Sequence, residues 1–224
     1  MNQQKQKNII ESNIYRDYLS LLLLGARMDC NILINKILKK NSNQDEIHHN
    51  IINIYENLFQ KSLYEIGELW EKNLITVTSE HMATAIVEGN MNELYPLIVN
   101  PKRINKKVIV SSVEKEEHQV GAKMVADVFE MNGWDALYLG ANTPLKDLII
   151  FIKNFRPNIL ALSLSVYFNL PNLETMLSNI NNTYPDIQII IGGQAFRHGG
   201  NEIACSYSNV RYIPSLDELE KFIY

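Results

Sequence analysis

Glu116-Glu117-His118-Gln119-Val120-Gly121 is the stretch on which the reading of this chain turns. It follows the apolar run Val108-Ile109-Val110 and opens a helical pattern, so it reads as the polar loop between a strand and a helix. After Gly121 come 41 residues and then Ser163-Leu164-Ser165; after Ser165 come 26 and then Gly192-Gly193. Each of these short motifs falls at the mouth of a predicted strand. In open α/β sheets ligands sit beyond the carboxyl ends of strands, so all three motifs converge on one sheet edge.

Working outward, the second half of the chain alternates strand and helix. Strands are predicted at 107–112, 136–139, 159–164, 187–191 and 210–213. A helix runs from the first loop to Asn132 and is closed by Gly133, a residue favoured just past helix ends. Further helices span 145–154, with Pro144 at a first-turn position, then 170–183, and from Asp217 to the end. Five short strands with crossovers imply a flavodoxin-like, doubly wound parallel sheet over residues 101–224.

The first half is helical and reads as a four-helix bundle over residues 1–100. Ile14, Tyr15, Leu19, Leu22 and Leu23 recur at helical spacing, with a break at Gly25. Asn41-Ser42-Asn43-Gln44-Asp45 is a turn carrying an N-cap before a second long helix. That helix places Ile52, Tyr55, Phe59, Leu63, Ile66 and Trp70 on one stripe. Thr78 or Ser79 is expected to cap the last helix, which runs to about Leu97. Pro96, Pro101 and the run 102–107 are expected to form the linker.

Composition narrows the function. The chain has 224 residues, is 46% hydrophobic and carries a net charge of −4. It can bury a core, and its charge argues against a nucleic-acid surface. Cys30 and Cys205 are the only cysteines, which suits a reducing cytoplasm and no disulfide framework. No signal peptide is recognised at the N-terminus, and the run from Leu21 to Ala26 is too short to span a bilayer. The expectation is therefore a cytoplasmic protein without a membrane or direct nucleic-acid partner.

The three motifs together resemble the signature of cobalamin (vitamin B12) binding domains: an acid-x-His-x-x-Gly loop, a Ser-x-Leu strand end and a Gly-Gly turn. The resemblance implies that His118 is the lower axial ligand of cobalt, replacing the cofactor's own dimethylbenzimidazole. Neutral imidazole is a good transition-metal ligand. Glu116 would hold the other ring nitrogen, with a longer arm than the family's commoner Asp. Gly121, Gly192 and Gly193 would admit the displaced nucleotide tail, and Ser163 would hydrogen-bond the benzimidazole. Ser165 stands where the family has Leu.

The helical half adds a second resemblance. Trp70, followed after nine residues by Glu80-His81, is similar to the W-x9-E-H motif of CarH-like adenosylcobalamin photoreceptors. Ile66-Gly67-Glu68-Leu69-Trp70 and Leu139-Gly140-Ala141-Asn142-Thr143-Pro144 match their style. This implies a bundle capping the corrin, with Trp70, Glu80 and His81 toward the upper ligand. Such regulators carry an N-terminal DNA-binding domain, for which these residues leave no room. Some place a histidine beside the Trp, where this chain has Glu71.

Two functions follow from the resemblance. One is a stand-alone, non-enzymatic light sensor that binds adenosylcobalamin and signals by self-assembly or through a separate output protein. The alternative is a corrinoid methyl carrier that binds methylcobalamin within a methyltransferase system. A mutase subunit fits the features less well, and generic cobalamin storage stands as a further reading.

Overall fold

The computed structural model describes residues 12–39 and 43–223. The chain divides into two compact units, Met1–Leu97 and Ile98–Tyr224. Among the described residues, no helix is long and apolar enough to cross a membrane.

The first unit is a helical bundle. Helix α1 (Ser12–Leu23) and α2 (Arg27–Leu38) are joined at Gly25, whose φ of 71° is the left-handed conformation that glycine adopts most easily. Helix α3 (Gln44–Ile54) runs through a π-helical stretch (Tyr55–Gln60) into α4 (Lys61–Glu71). Its N-cap is Asn43, whose side chain accepts the Glu46 backbone N–H at 2.9 Å. Asn41 and Ser42 of the expected turn lie outside the described residues. Tyr18, Tyr55 and Phe59 are fully buried and stack in pairs at 5.5 and 5.7 Å.

The apolar stripe holds through Ile52, Tyr55, Phe59 and Ile66, with Leu63 half-buried. Trp70 leaves it: it lies on the last turn of α4 and is 46% exposed. Two boundaries differ from the sequence expectation. Helix α5 (Val77–Ile98) is capped by Thr76, whose hydroxyl accepts the Ser79 N–H at 3.3 Å, rather than by Thr78 or Ser79. Pro96 lies inside α5, not in a linker. Burial of Leu94 and Ile98 on either side carries the helix past the missing donor.

The second unit is a parallel sheet in the order β2-β1-β3-β4-β5, with β1 Lys107–Ser112, β2 Asp135–Tyr138, β3 Ile159–Ser163, β4 Gln188–Gly192 and β5 Val210–Tyr212. This is the flavodoxin-like order. Strands β1 and β3 are buried almost throughout, as parallel strands covered on both faces must be. Ile109, Leu160, Leu162, Ile189 and Ile191 pack with Leu148 and Ile152 of α7 (Leu145–Phe155) and with Leu173 and Leu177 of α8 (Leu170–Thr183). Helix α6 (Val120–Met131) packs on the sheet and against α9 (Leu216–Ile223).

Pro144 is the residue before α7 in extended conformation, and not its first-turn residue, because ψ of 132° holds it outside the helix. Gly133, at φ 79°, ends α6 where a Cβ would lie 2.3 Å from the Lys102 carbonyl oxygen. The segment before β1 is tied down: the Arg103 guanidinium donates to Glu130 Oε2 at 2.6 Å and to the Trp134 carbonyl at 2.7 Å.

Candidate functional site

The register of the central strands aligns the motifs. Ser112 pairs with Ser163, and Ser163 with Gly192, so the last residues of β1, β3 and β4 form one row at the carboxyl edge. The loop after β1 is gripped from several sides. Ser112 Oγ donates to the His118 carbonyl at 2.9 Å. Asn142, itself at φ 47°, accepts the Lys115 N–H at 2.8 Å, and its own N–H donates to the Glu116 carbonyl at 2.8 Å.

Glu116 is fully buried and its two carboxylate oxygens do different work. Oε1 accepts from the His118 backbone N–H at 3.1 Å and meets the ring Nδ1 at 2.5 Å. Oε2 accepts from the backbone N–H groups of Ser165 at 3.1 Å and Val166 at 2.8 Å, and from Asn169 Nδ2 at 3.4 Å. Burial pushes the carboxyl pKa up, but the hydrogen bonds from the His118 ring, Val166 and the His118 backbone outweigh it. The net result is a pKa lowered to about 2. The group is therefore ionised at neutral pH and accepts a proton-bearing Nδ1. That fixes the neutral ring as the tautomer whose Nε2 carries the lone pair. The His118 side chain is 60% exposed, so the ring is oriented from within and presented outward.

The three glycines have different reasons for being glycine. At Gly193 φ is 120° and a Cβ would lie 2.2 Å from the Leu164 carbonyl oxygen. At Gly192 it would lie 2.8 Å from the Ile213 carbonyl oxygen. Both are demanded by neighbouring backbone. At Gly121, on the first turn of α6, a Cβ would meet only Ser163 Oγ, at 3.6 Å, which is ordinary contact. Gly121 thus brings the start of α6 next to the Ser163 hydroxyl at the end of β3 without crowding it. Ser165 contributes its backbone N–H, to Glu116.

In the helical unit, Glu80 and His81 lie together, Oε2 to Nε2 at 3.6 Å, with Thr84 Oγ1 donating to Glu80 Oε1 at 2.9 Å. His81 is 72% exposed. Trp70 is separated from them along the chain by the turn between α4 and α5.

Sequence reasoning missed several residues that hold the site. Ser112, Asn142 and Asn169 fix the loops around Glu116, and Ser111 Oγ donates to the buried Thr143 hydroxyl at 2.7 Å. Asn142 carried a readable signal: an Asn between Gly140 and Pro144 is a residue that tolerates φ > 0. Asn169 carried none, since its partner is fifty-three residues away.

The arrangement defines a class: a flavodoxin-like binding domain, preceded by a helical bundle, that offers one carboxylate-oriented imidazole at the carboxyl edge of its sheet. Residues 106–205 match the B12 binding domain family, and residues 14–95 match a second family of the same description. The chain is a cobalamin-binding-domain protein, related both to CarH-type regulators and to corrinoid carrier proteins. It is 24% identical over 144 residues to the HTH-type transcriptional repressor CarH of Myxococcus xanthus, covering 64% of this chain and 48% of that protein. It is 24% identical over 115 residues to trimethylamine corrinoid protein 1 of Methanosarcina acetivorans, covering 50% of this chain and 53% of that protein. The chain thus spans about half the length of these curated relatives. Its fold is similar to that of the Methanosarcina barkeri monomethylamine corrinoid protein, with a TM-score of 0.77 at 13% identity, covering 95% of this chain and 98% of that one.

The residues present suit a corrinoid. The donor set is a single oriented imidazole, and a Cβ at Gly121 would meet only the Ser163 hydroxyl, at 3.6 Å.

Proposed function

We propose that this chain is a corrinoid carrier: a protein that holds a cobalamin whose cobalt takes a methyl group from one partner methyltransferase and gives it up to another, without catalysing either transfer itself. The observation that carries this reading is the Glu116–His118 pair. A bound corrinoid would supply a cobalt centre able to take up and release a methyl group. The chain's own part is to set the base beneath it.

His118 would be the lower ligand through Nε2. Glu116 would hold the ring's orientation and favour electron donation from it, because a carboxylate on Nδ1 raises imidazole basicity. Its buried position and its own backbone donors keep that carboxylate charged. Gly121 and Ser163 would receive the nucleotide tail, with Gly192 and Gly193 shaping the adjoining strand ends. The likeness of fold to a monomethylamine corrinoid protein, extending over nearly the whole of both chains, supports the carrier reading over a regulator.

A second reading, an adenosylcobalamin light sensor, is favoured by one observation. Trp70 leaves the apolar stripe and His81 is open beside a half-buried Glu80, so the Trp and His of the W-x9-E-H motif are displayed rather than used in the core.

The test is a comparison of loaded forms. Methylcobalamin-loaded protein, mixed with a corrinoid-dependent thiol methyltransferase, should lose its methyl spectrum as the thiol is methylated. A protein that does not turn over, but whose adenosylcobalamin form changes assembly under green light by size-exclusion chromatography, would make the sensor reading the correct one.

A further inference from the structure

Phe168 is the most exposed large apolar side chain among the described residues, at 92%, with Tyr167 beside it at 46%. It does not sit on a loose loop. It occupies a 3-10 turn, Tyr167–Asn169, that leads directly into α8. Before the turn, the Ser165 and Val166 N–H groups are held by Glu116 Oε2. Within it, the Asn169 N–H donates to the Val166 carbonyl at 3.0 Å, and Asn169 Nδ2 donates to the Lys115 carbonyl at 3.2 Å. After it, the Leu170 N–H closes on the Tyr167 carbonyl. The turn's backbone is thus held at several points, so the position from which the ring projects is set before anything binds.

The ties also say where the ring is. The carboxylate that orients the His118 ring through Oε1 is the one that holds this turn through Oε2. The imidazole and Phe168 therefore share one rim, at the ends of neighbouring strands β1 and β3. Paired strands lie about 4.8 Å apart, less than the half-width of a corrin macrocycle. A group wider than that spacing, held on His118, would reach toward the end of β3, beside the turn that carries Phe168.

We infer that Phe168 is a corrin-contacting residue, an apolar side chain that would meet the macrocycle on the β3 side. This rests on the cobalamin-binding reading and adds a contact to the macrocycle itself, apart from the axial base and the nucleotide slot.

Two probes separate these contacts: methylcobalamin, and cobinamide, which keeps the corrin ring and lacks the nucleotide. Affinities are measured by equilibrium dialysis for the wild-type chain, Phe168→Ala, Phe168→Tyr and Ser163→Ala. Phe168→Ala should weaken both probes by roughly tenfold, as expected for loss of one apolar aromatic contact. Phe168→Tyr should bind like wild type. Ser163→Ala should weaken methylcobalamin alone. The melting temperature of the cofactor-free Phe168→Ala protein should equal that of wild type, because the ring packs against nothing it would lose. Unchanged affinity of Phe168→Ala for both probes, or a loss confined to methylcobalamin, overturns the inference while leaving cobalamin binding intact. A wild-type chain that binds neither probe overturns the cobalamin reading and the inference together.

Discussion

Glu116 Oε2 accepts the Val166 N–H at 2.8 Å, fifty residues along the chain. The carboxylate that orients His118 is thereby also the tie between the loops after β1 and β3. Removing its charge should be felt in both places.

Glu116→Gln keeps the size of the side chain but offers only one acceptor oxygen. Its amide nitrogen must then face either the His118 backbone N–H or the Ser165 and Val166 N–H groups, donor against donor. We expect a loss of about 2–3 kcal/mol in stability, the usual cost of stranding buried donors. Urea denaturation of the cofactor-free protein checks this, and a variant as stable as wild type would show that the clamp contributes nothing.

The same clamp predicts a pH dependence with a definite sign. The Glu116 pKa is depressed in the folded chain, from 4.5 to about 2. Its contribution is therefore fully present above the unfolded value and is lost as pH falls from about 4.5 toward 2. The stability gap between wild type and Glu116→Gln should therefore narrow as pH falls from about 4.5 toward 2. A gap that stays constant to pH 3 would contradict the assignment.

Gly193 and Gly121 should respond oppositely to alanine. Gly193→Ala places a Cβ in the left-handed region, 2.2 Å from the Leu164 carbonyl oxygen. It should destabilise the domain by about 2 kcal/mol or more. Gly121→Ala makes only ordinary contact with Ser163 Oγ at 3.6 Å. It should fold normally and bind methylcobalamin more weakly, because the methyl group narrows the proposed slot. Thermal melting alongside equilibrium dialysis separates the two effects, and equal loss of stability in both variants would defeat the distinction.

These positions also show how far the sequence could be read. Every strand, to within about two residues, was legible from apolar runs bounded by turn residues, and the flavodoxin-like strand order followed from their alternation with helices at this length. So was the acid two positions before His118. What it hid was carried by tertiary context. Nothing local marks Asn169 as a partner of Glu116, or Leu164 as the neighbour that excludes a side chain at Gly193. Pro96 misled for the same reason: its local rule says break, and burial of Leu94 and Ile98 overrides it. Trp70 completed a stripe by spacing, yet the stripe's buried part stops at Ile66, one turn earlier.

His118→Ala should leave the fold intact, since the side chain is 60% exposed, and abolish the absorbance of a histidine-ligated corrinoid. Cobalamin affinity should fall with it. Retained histidine-type absorbance in this variant would mean that another residue supplies the base.

Trp70 offers the sharpest division between the carrier and the sensor. Because it is 46% exposed and lies beyond the buried stripe, Trp70→Ala should cost the bundle about 1 kcal/mol or less. If the ring serves the upper ligand, the substitution should change the adenosylcobalamin photolysis rate or affinity while methylcobalamin affinity is less affected, because the adenosyl group is much larger than methyl. Under the carrier reading the two cofactor forms should respond alike, and rates of methyl transfer to a partner enzyme should be the quantity that moves. Dialysis with both forms in darkness, followed by timed green-light exposure, reads the difference directly. An unchanged photolysis rate with unchanged affinity for both forms would remove Trp70 from the site.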